Sequence, residues 1–480
     1  MRKLLAASLL SLSLLGTYAA ADVLDIAPGI LTRQQPTPLP ATATPSGPSP
    51  TLAPLPTPAG EGAVLAALPG DAPVPTAAGL RTALGPALAQ AALGPSVGVS
   101  IRDARTGSQL LSIGAEKPRG VASTAKILTA AAVTQTLDLD AVMTTRLVRS
   151  GPTELTVIAA GDTLLARGAG DSGEVAGHAG LGDLAEQAAA ALTAAGEDDA
   201  AFTVRIDASY AAGERYPAGW NMADVAAGYT QGVSMIGLAA QRPKPGEPSP
   251  TDPEAEAVTA LAEQLAKHGI TAKPDTGQDG RLRPAPADAP LLASADSAPY
   301  REVLAIALDE SDNALTENLA RQAAIKAGGD GSFAANAAYV TSELKKLGLD
   351  LSGTHLLDTS GLSRGQTATV ALLSAVVAKA RAGDLPGLDD LLARLPVAGL
   401  DGTLYDRFRE APADAAAGIA RAKTGTLTGI SGLLGTTVTA DEREIDFVII
   451  ADAVPPTSGT WAARIALDRF VADLTACGCR

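Results

Sequence analysis

The chain has 480 residues, 46% of them apolar and 19% charged, with a formal net charge of −15. That is enough material for two or three domains with a substantial core, and the acidic balance excludes a nucleic-acid surface or a basic patch for anionic lipids. Two cysteines, with His178, His268 and His355 in no ligand spacing, do not make a four-ligand zinc site.

Residues 1–21 have the pattern of an export signal: Arg2 and Lys3, an apolar run from Leu4 to Leu15, then Ala19 to Ala21 before Asp22. Cleavage and retention as an anchor are both open, and membrane association is expected through this segment only. Residues 22–76 read as a spacer, because Pro36 to Gly60 holds nine prolines in 25 residues. Such a composition favours extended polyproline II and cannot bury a core; a cleaved propeptide is the alternative. The expected location is extracytoplasmic, in the cell wall or periplasmic space, secreted or tethered.

The folded region is expected from Ala77. A helix over Ala77 to Leu93 precedes two strands within Ser96 to Lys117, turning at Asp103 to Gly107. The helix of "VASTAKILTA" (Val121 to Ala130) follows and runs to about Leu137, closing a first segment, 77–139. Over 140–290 short strands ("TELTVIAAG", "AFTVRIDASY") alternate with helices ("LGDLAEQAAAALTAAG", "DPEAEAVTALAEQLAKHG"), as expected of one or two inserted modules. Tyr216 and Trp220 in this region are expected as core or interface aromatics. Over 291–480 long helices return through "APYREVLAIALDESDNALTENLARQAAIKA". Two strands, "GISGLLGTTVT" and "EIDFVIIADAV", and an amphipathic helix end the chain. Cys477 and Cys479 permit a local disulfide stapling the tail.

Ser123 and Lys126 stand three apart, on one face of a helix. A serine hydroxyl becomes a nucleophile when a base takes its proton. A lysine is such a base when burial, a helix N-terminus or a nearby cation keeps it neutral. The spacing is weak evidence alone, since Ser342 and Lys345 repeat it beside Glu343 and Lys346 on what reads as a solvated face. Two further groups single out the first copy. Ser311-Asp312-Asn313 lies where two helices meet, and Lys423-Thr424-Gly425 precedes the last strand pair.

In the order S-x-x-K, S-x-N, K-T-G these match the signature of penicillin-interacting serine enzymes. With 184 residues between Lys126 and Ser311, the chain resembles the D-alanyl-D-alanine carboxypeptidases/endopeptidases of the low-molecular-mass class C penicillin-binding protein family. "DTSGLSRGQTAT" (Asp358 to Thr369) and "LPVAGLDGTLYDRF" (Leu395 to Phe408) are similar to further family segments, and "AAGDTLLA" departs from a third at Ala160 and Thr163.

The resemblance implies an α/β, β-lactamase-like transpeptidase fold. An antiparallel sheet flanked by the terminal helices would sit beside a helical lobe, with a large inserted α/β region. It implies Ser123 as nucleophile, Lys126 as base, Ser311 as proton relay and Asn313 as a substrate holder contacting Lys126. Lys423 would lower the proton affinity of Lys126 and attract the substrate carboxylate, to which Thr424 and Thr426 offer hydroxyls. Gly425 would let substrate lie against the strand, and the N–H groups of Ser123 and Thr426 would form the oxyanion hole. Asp358 with Arg364, and Asp401 with Arg407, are read as structural ion pairs or turn residues, with shaping of the cleft as the alternative. The implied reaction is acyl transfer to water, which needs no metal or organic cofactor, and the implied partners are peptidoglycan stem peptides and β-lactams. A serine β-lactamase and a non-catalytic wall-binding scaffold are the alternatives.

Overall fold

The computed structural model describes residues 69–197 and 199–480; the readings of an export signal and of most of the spacer lie outside them. Helix α1 (Ala77–Leu88) starts at Thr76, whose hydroxyl accepts from the Gly79 N–H at 3.1 Å, and buries Leu80, Leu84 and Ala87. Strands β1 (Val97–Asp103) and β2 (Gln109–Ile113) form the expected hairpin. A 3₁₀ turn, Ala122–Thr124, leads into α2 (Ala125–Val133), whose nine residues are all buried. It ends before Leu137 because Gln135 and Thr136 donate to carbonyls three residues back, tightening the last turn.

The inserted region holds β3 (Thr144–Gly151), β4 (Glu154–Ile158), α3 (Leu181–Ala194), β5 (Phe202–Asp207), α4 (Pro253–Lys267), β6 (Ala272–Pro274) and β7 (Leu291–Asp296). They form one mixed sheet in the order β6-β5-β4-β3-β7. β4, β5 and β6 run parallel because α3 and α4 supply the crossovers. These helices cover the sheet around their own core of Leu184, Leu192, Val204, Ile206 and Leu261. Since β7 pairs with β3, the inserted sheet extends to Asp296 rather than stopping at 290.

Helices α5 (Tyr300–Asp309), α6 (Asn313–Lys326), α7 (Phe333–Lys346) and α8 (Val370–Arg381) surround α2 and form the helical lobe. The chain then adds β8 (Arg421–Leu427), β9 (Ile430–Val438), β10 (Glu444–Ala451) and α9 (Gly459–Thr475). The first sheet is antiparallel throughout, in the order β2-β1-β10-β9-β8, with α8 on one face and α1 and α9 on the other. The two-residue period of β10 explains how both faces are buried. Phe447 and Ile449 join the core under α9, while Val448 and Ile450 join the core of the helical lobe. The tail folds back on α1: Cys477 and Cys479 form a disulfide, and Thr76 donates its N–H to the Cys479 carbonyl at 2.7 Å. Among the described residues no helix is long and apolar enough to cross a membrane.

Candidate active site

The lobe and the first sheet meet at a cleft of about 550 Å³ whose walls include Ser123, Ser311, Asn313, Thr424 and Thr426. Ser123 lies on the 3₁₀ turn rather than inside the α-helix, after Ala122 at φ +46°. A residue with a side chain adopts that conformation only when its surroundings enforce it. The three-residue spacing survives the change of helix type, and the Lys126 Nζ donates to the Ser123 Oγ at 3.0 Å.

Lys126 is wholly buried. An ammonium has three donors, and the other two go to the Asn313 Oδ1 at 2.5 Å and the Ser360 carbonyl at 2.7 Å. Burial pulls the lysine down to about 8, against the opposing pull of Asp358, Glu317 and Asp312. Its neutral form is therefore accessible near physiological pH.

The helix junction is built around Asp312, which caps α6 by accepting from the Leu315 N–H at 3.0 Å. The cap leaves its two neighbours free for the cleft. Ser311 takes φ +59° and lines the wall. The Asn313 Nδ2 donates to the Tyr229 carbonyl at 2.9 Å, a bond that fixes the amide with its oxygen towards Lys126.

β8 is an edge strand of its sheet. Ala422 donates its N–H away from β9, to the Pro396 carbonyl at 3.0 Å. Strand alternation therefore turns the Thr424 and Thr426 N–H groups to the same outer edge. Lys423 is wholly buried, and its Nζ donates to the Thr424 carbonyl at 3.0 Å. Burial first, and repulsion from Lys126 second, drive Lys423 well below the usual lysine range. The sequence reading gave burial and Lys423 as the causes of the Lys126 shift; burial is the one that lowers Lys126, and the repulsion between the two lysines falls on Lys423. Gly425 also has a different reason from the one expected. A Cβ there would stand 2.9 Å from the Val121 carbonyl oxygen and the Thr124 Cγ2, so glycine lets β8 close on the turn that carries Ser123.

Asp358 is a turn residue. Wholly buried, it accepts from the Gly361 and Ser363 N–H groups, both at 2.7 Å, from the Gln366 Nε2 at 2.6 Å and from the Trp220 Nε1 at 2.9 Å. Arg364 instead reaches the cleft wall near Thr428. Asp401 and Arg407 are not paired: Asp401 accepts from the Val397 N–H at 2.6 Å, and Arg407 forms a buried bidentate pair with Asp468. Trp220 is buried among core residues of the inserted region, with Tyr216 and Phe333 beside it. Ser342 and Lys345 are exposed, as their neighbours implied.

The sequence reading missed three contributors. The Ser360 carbonyl could have been suspected, since "DTSGLS" was recognised as a segment. The Tyr229 carbonyl and the Glu317 carboxylate carry no motif of their own. Among the described residues no group of three or more His, Cys, Asp or Glu side chains is placed to hold a metal.

The profile of the D-Ala-D-Ala carboxypeptidase 3 (S13) family matches residues 80–248 and 237–474. The chain belongs to this family. Carboxypeptidase DacB of Mycolicibacterium smegmatis is 35% identical over 413 residues, spanning 85% of this chain and 86% of that protein. A D-alanyl-D-alanine carboxypeptidase of Actinomadura sp. is 36% identical over 207 residues, spanning 42% of this chain and 37% of that one. The solved structure of penicillin binding protein 4 (dacB) from Haemophilus influenzae has the same fold. Its TM-score is 0.60 at 21% identity, covering 83% of this chain and 98% of that one. The S13 chain is thus a serine-type D-Ala-D-Ala carboxypeptidase.

Proposed function

We propose that this S13 enzyme hydrolyses the D-Ala-D-Ala ends or cross-links of peptidoglycan stem peptides through an ester on Ser123, outside the cytoplasm. The observation that carries the assignment of roles is the Lys126 Nζ, buried and in hydrogen-bond contact with both the Ser123 Oγ and the Asn313 Oδ1. The location is supported by the signal-like residues 1–21 and the proline-rich spacer.

Neutral Lys126 takes the Ser123 proton as Oγ attacks the carbonyl carbon of the penultimate D-Ala. The tetrahedral oxyanion is held by the N–H groups of Ser123 and Thr426. Ser311 passes the proton from Lys126 to the departing amine, the C–N bond breaks and D-Ala leaves. Water then attacks the ester carbon, giving its proton to the same base; the Oγ–C bond breaks, the base returns that proton to the Ser123 Oγ, and the shortened peptide leaves. Lys423, Thr424 and Thr426 receive the terminal carboxylate, and that anion favours the charged form of Lys423. A β-lactam presents a strained amide to the same nucleophile and acylates Ser123.

The test is to incubate the full chain with a fluorescent penicillin and follow adduct and turnover. A lasting adduct that disappears in Ser123→Ala supports the proposal. Rapid turnover without an accumulating adduct points instead to a β-lactamase, and no reaction at all sinks both readings. Acylation of Lys126→Ala at the wild-type rate would remove Lys126 as the base. Cell fractionation tests the location, and an exclusively cytoplasmic enzyme would refute it.

A further inference from the structure

Glu317 is a buried acid that the acyl-transfer scheme leaves unused. It stands four residues after Asn313 on α6, hence on the same helix face, and has no solvent exposure. Both carboxylate oxygens face one short piece of backbone. Oε1 accepts from the Thr359 and Ser360 N–H groups at 2.9 and 2.7 Å, and Oε2 accepts from the Thr359 hydroxyl at 2.6 Å. The segment held in this way carries the Ser360 carbonyl, which accepts from Lys126 at 2.7 Å. From α2 the Thr129 hydroxyl donates to the Thr359 carbonyl at 2.5 Å. A carboxylate on α6 and a hydroxyl on α2 thus clamp the two residues that supply one of the three acceptors of Lys126.

We propose that Glu317 is a positioning residue for the acylation base, fixing the Ser360 carbonyl against Lys126 by its geometry and biasing the proton on Lys126 by its charge. This inference rests on the reading of Lys126 as the base. The charged groups around Glu317 are Lys126 on α2, Asp358 in the 358–363 turn, and Asp312 and Arg321 on α6. Lys423 and Asp309 lie beyond Lys126. Burial, reinforced by Asp358, raises Glu317 to about 7, against its hydrogen bonds from Thr359 and Ser360. In its ionised form its negative charge opposes the loss of the Lys126 proton.

Two substitutions separate geometry from charge. In Glu317→Gln the amide oxygen still accepts from both N–H groups, and the new NH₂ donates to the Thr359 hydroxyl, so only the charge is lost. In Glu317→Asp the charge stays but the reach shortens by one methylene. Acylation by a chromogenic β-lactam is followed against pH in stopped flow, with thermal melts of each variant. The expected results are an acid limb displaced to lower pH in Glu317→Gln, by on the order of one unit. In Glu317→Asp the limb stays in place and the plateau rate falls roughly tenfold or more.

Profiles of both variants superimposing on wild type would overturn the proposal and leave Glu317 a core polar residue. Loss of cooperative melting in both would also overturn it, because the residue would then act through folding. Lys126→Ala run in parallel keeps the two readings apart. If that variant acylates normally, the base assignment has failed; if it is inert and the Glu317 limb is unmoved, only the present inference has.

Discussion

Gly425→Ala puts the coupling between β8 and the nucleophile's turn to a quantitative test. The added methyl would sit 2.9 Å from both the Val121 carbonyl oxygen and the Thr124 Cγ2, and 3.2 Å from the Thr124 N. Ordinary contacts of this kind lie near 3.4 Å or beyond, so one partner must move by roughly half an ångström. Val121 and Thr124 are both buried and cannot retreat into solvent; close-packed neighbours resist such insertion at a cost of about 1–3 kcal/mol. The backbone of Gly425 does not have a positive φ, so alanine gains up to about 1 kcal/mol from the unfolded state, and the net loss is at most about 3 kcal/mol. The kinetic effect is larger. Lys423, Thr424 and Thr426 ride on the strand that moves away from Ser123, and a misplacement approaching an ångström costs on the order of 10²-fold in rate. The acylation rate constant measured with a fluorescent penicillin should fall between about tenfold and a hundredfold. Chemical denaturation should report the smaller stability loss. A variant that acylates at the wild-type rate with an unchanged midpoint would refute the idea that Gly425 sets the spacing of the cleft.

The wild-type acylation rate should rise about tenfold from pH 7 to pH 9 and level off around a base titrating near 8. The sign follows from the neutral amine being the reactive form, and a rate still climbing in proportion to hydroxide past pH 10 would mean an ordinary lysine. Arg407→Ala should cost about 3–5 kcal/mol in denaturation because it strands Asp468 in the interior without its bidentate partner; a loss below about 1 kcal/mol contradicts that account. Trp220→Phe removes a hydrogen-bond donor from the buried Asp358 carboxylate and should lower stability by about 1.5–3 kcal/mol. An unchanged urea midpoint would show that the 358–363 turn does not depend on the inserted region.

What was legible in the sequence was whatever a local pattern carries. The apolar runs of β1 and β10 beside their turns, the amphipathic α9 and the three motif groups all announce themselves within ten to twenty residues. The boundary of the inserted region was harder, since β7 looks like the start of the returning helical segment and is assigned to the second sheet only by its pairing with β3. Arg407 was read with Asp401 as an ion pair or turn residue within one segment, whereas its partner Asp468 comes from α9. The fold decides such pairs, and no local spacing reveals them. Backbone carbonyls are the extreme case. Those of Tyr229 and Ser360 act through the path of the chain, and any residue on that path supplies the same oxygen.

The housing of Lys126 explains why a buried lysine can lose its proton here. All three of its bonds go to neutral oxygens, on Ser123, Asn313 and Ser360. A carboxylate in any of those places would hold the proton by direct ion pairing and push the group back towards the ordinary lysine range. The acids that act on it, Asp312, Glu317 and Asp358, are instead bonded to backbone and side-chain donors of their own. Burial therefore outweighs them, and the amine is released at about 8. The inserted region enters at the one acceptor that could fail. An asparagine amide can turn either end to a neighbour, and turning its NH₂ to Lys126 would set donor against donor. The Tyr229 carbonyl, carried by the inserted region, engages that NH₂ and leaves only the oxygen for the base. The inserted region thus fixes which end of the Asn313 amide faces Lys126, and its removal would free that amide even with every motif residue in place.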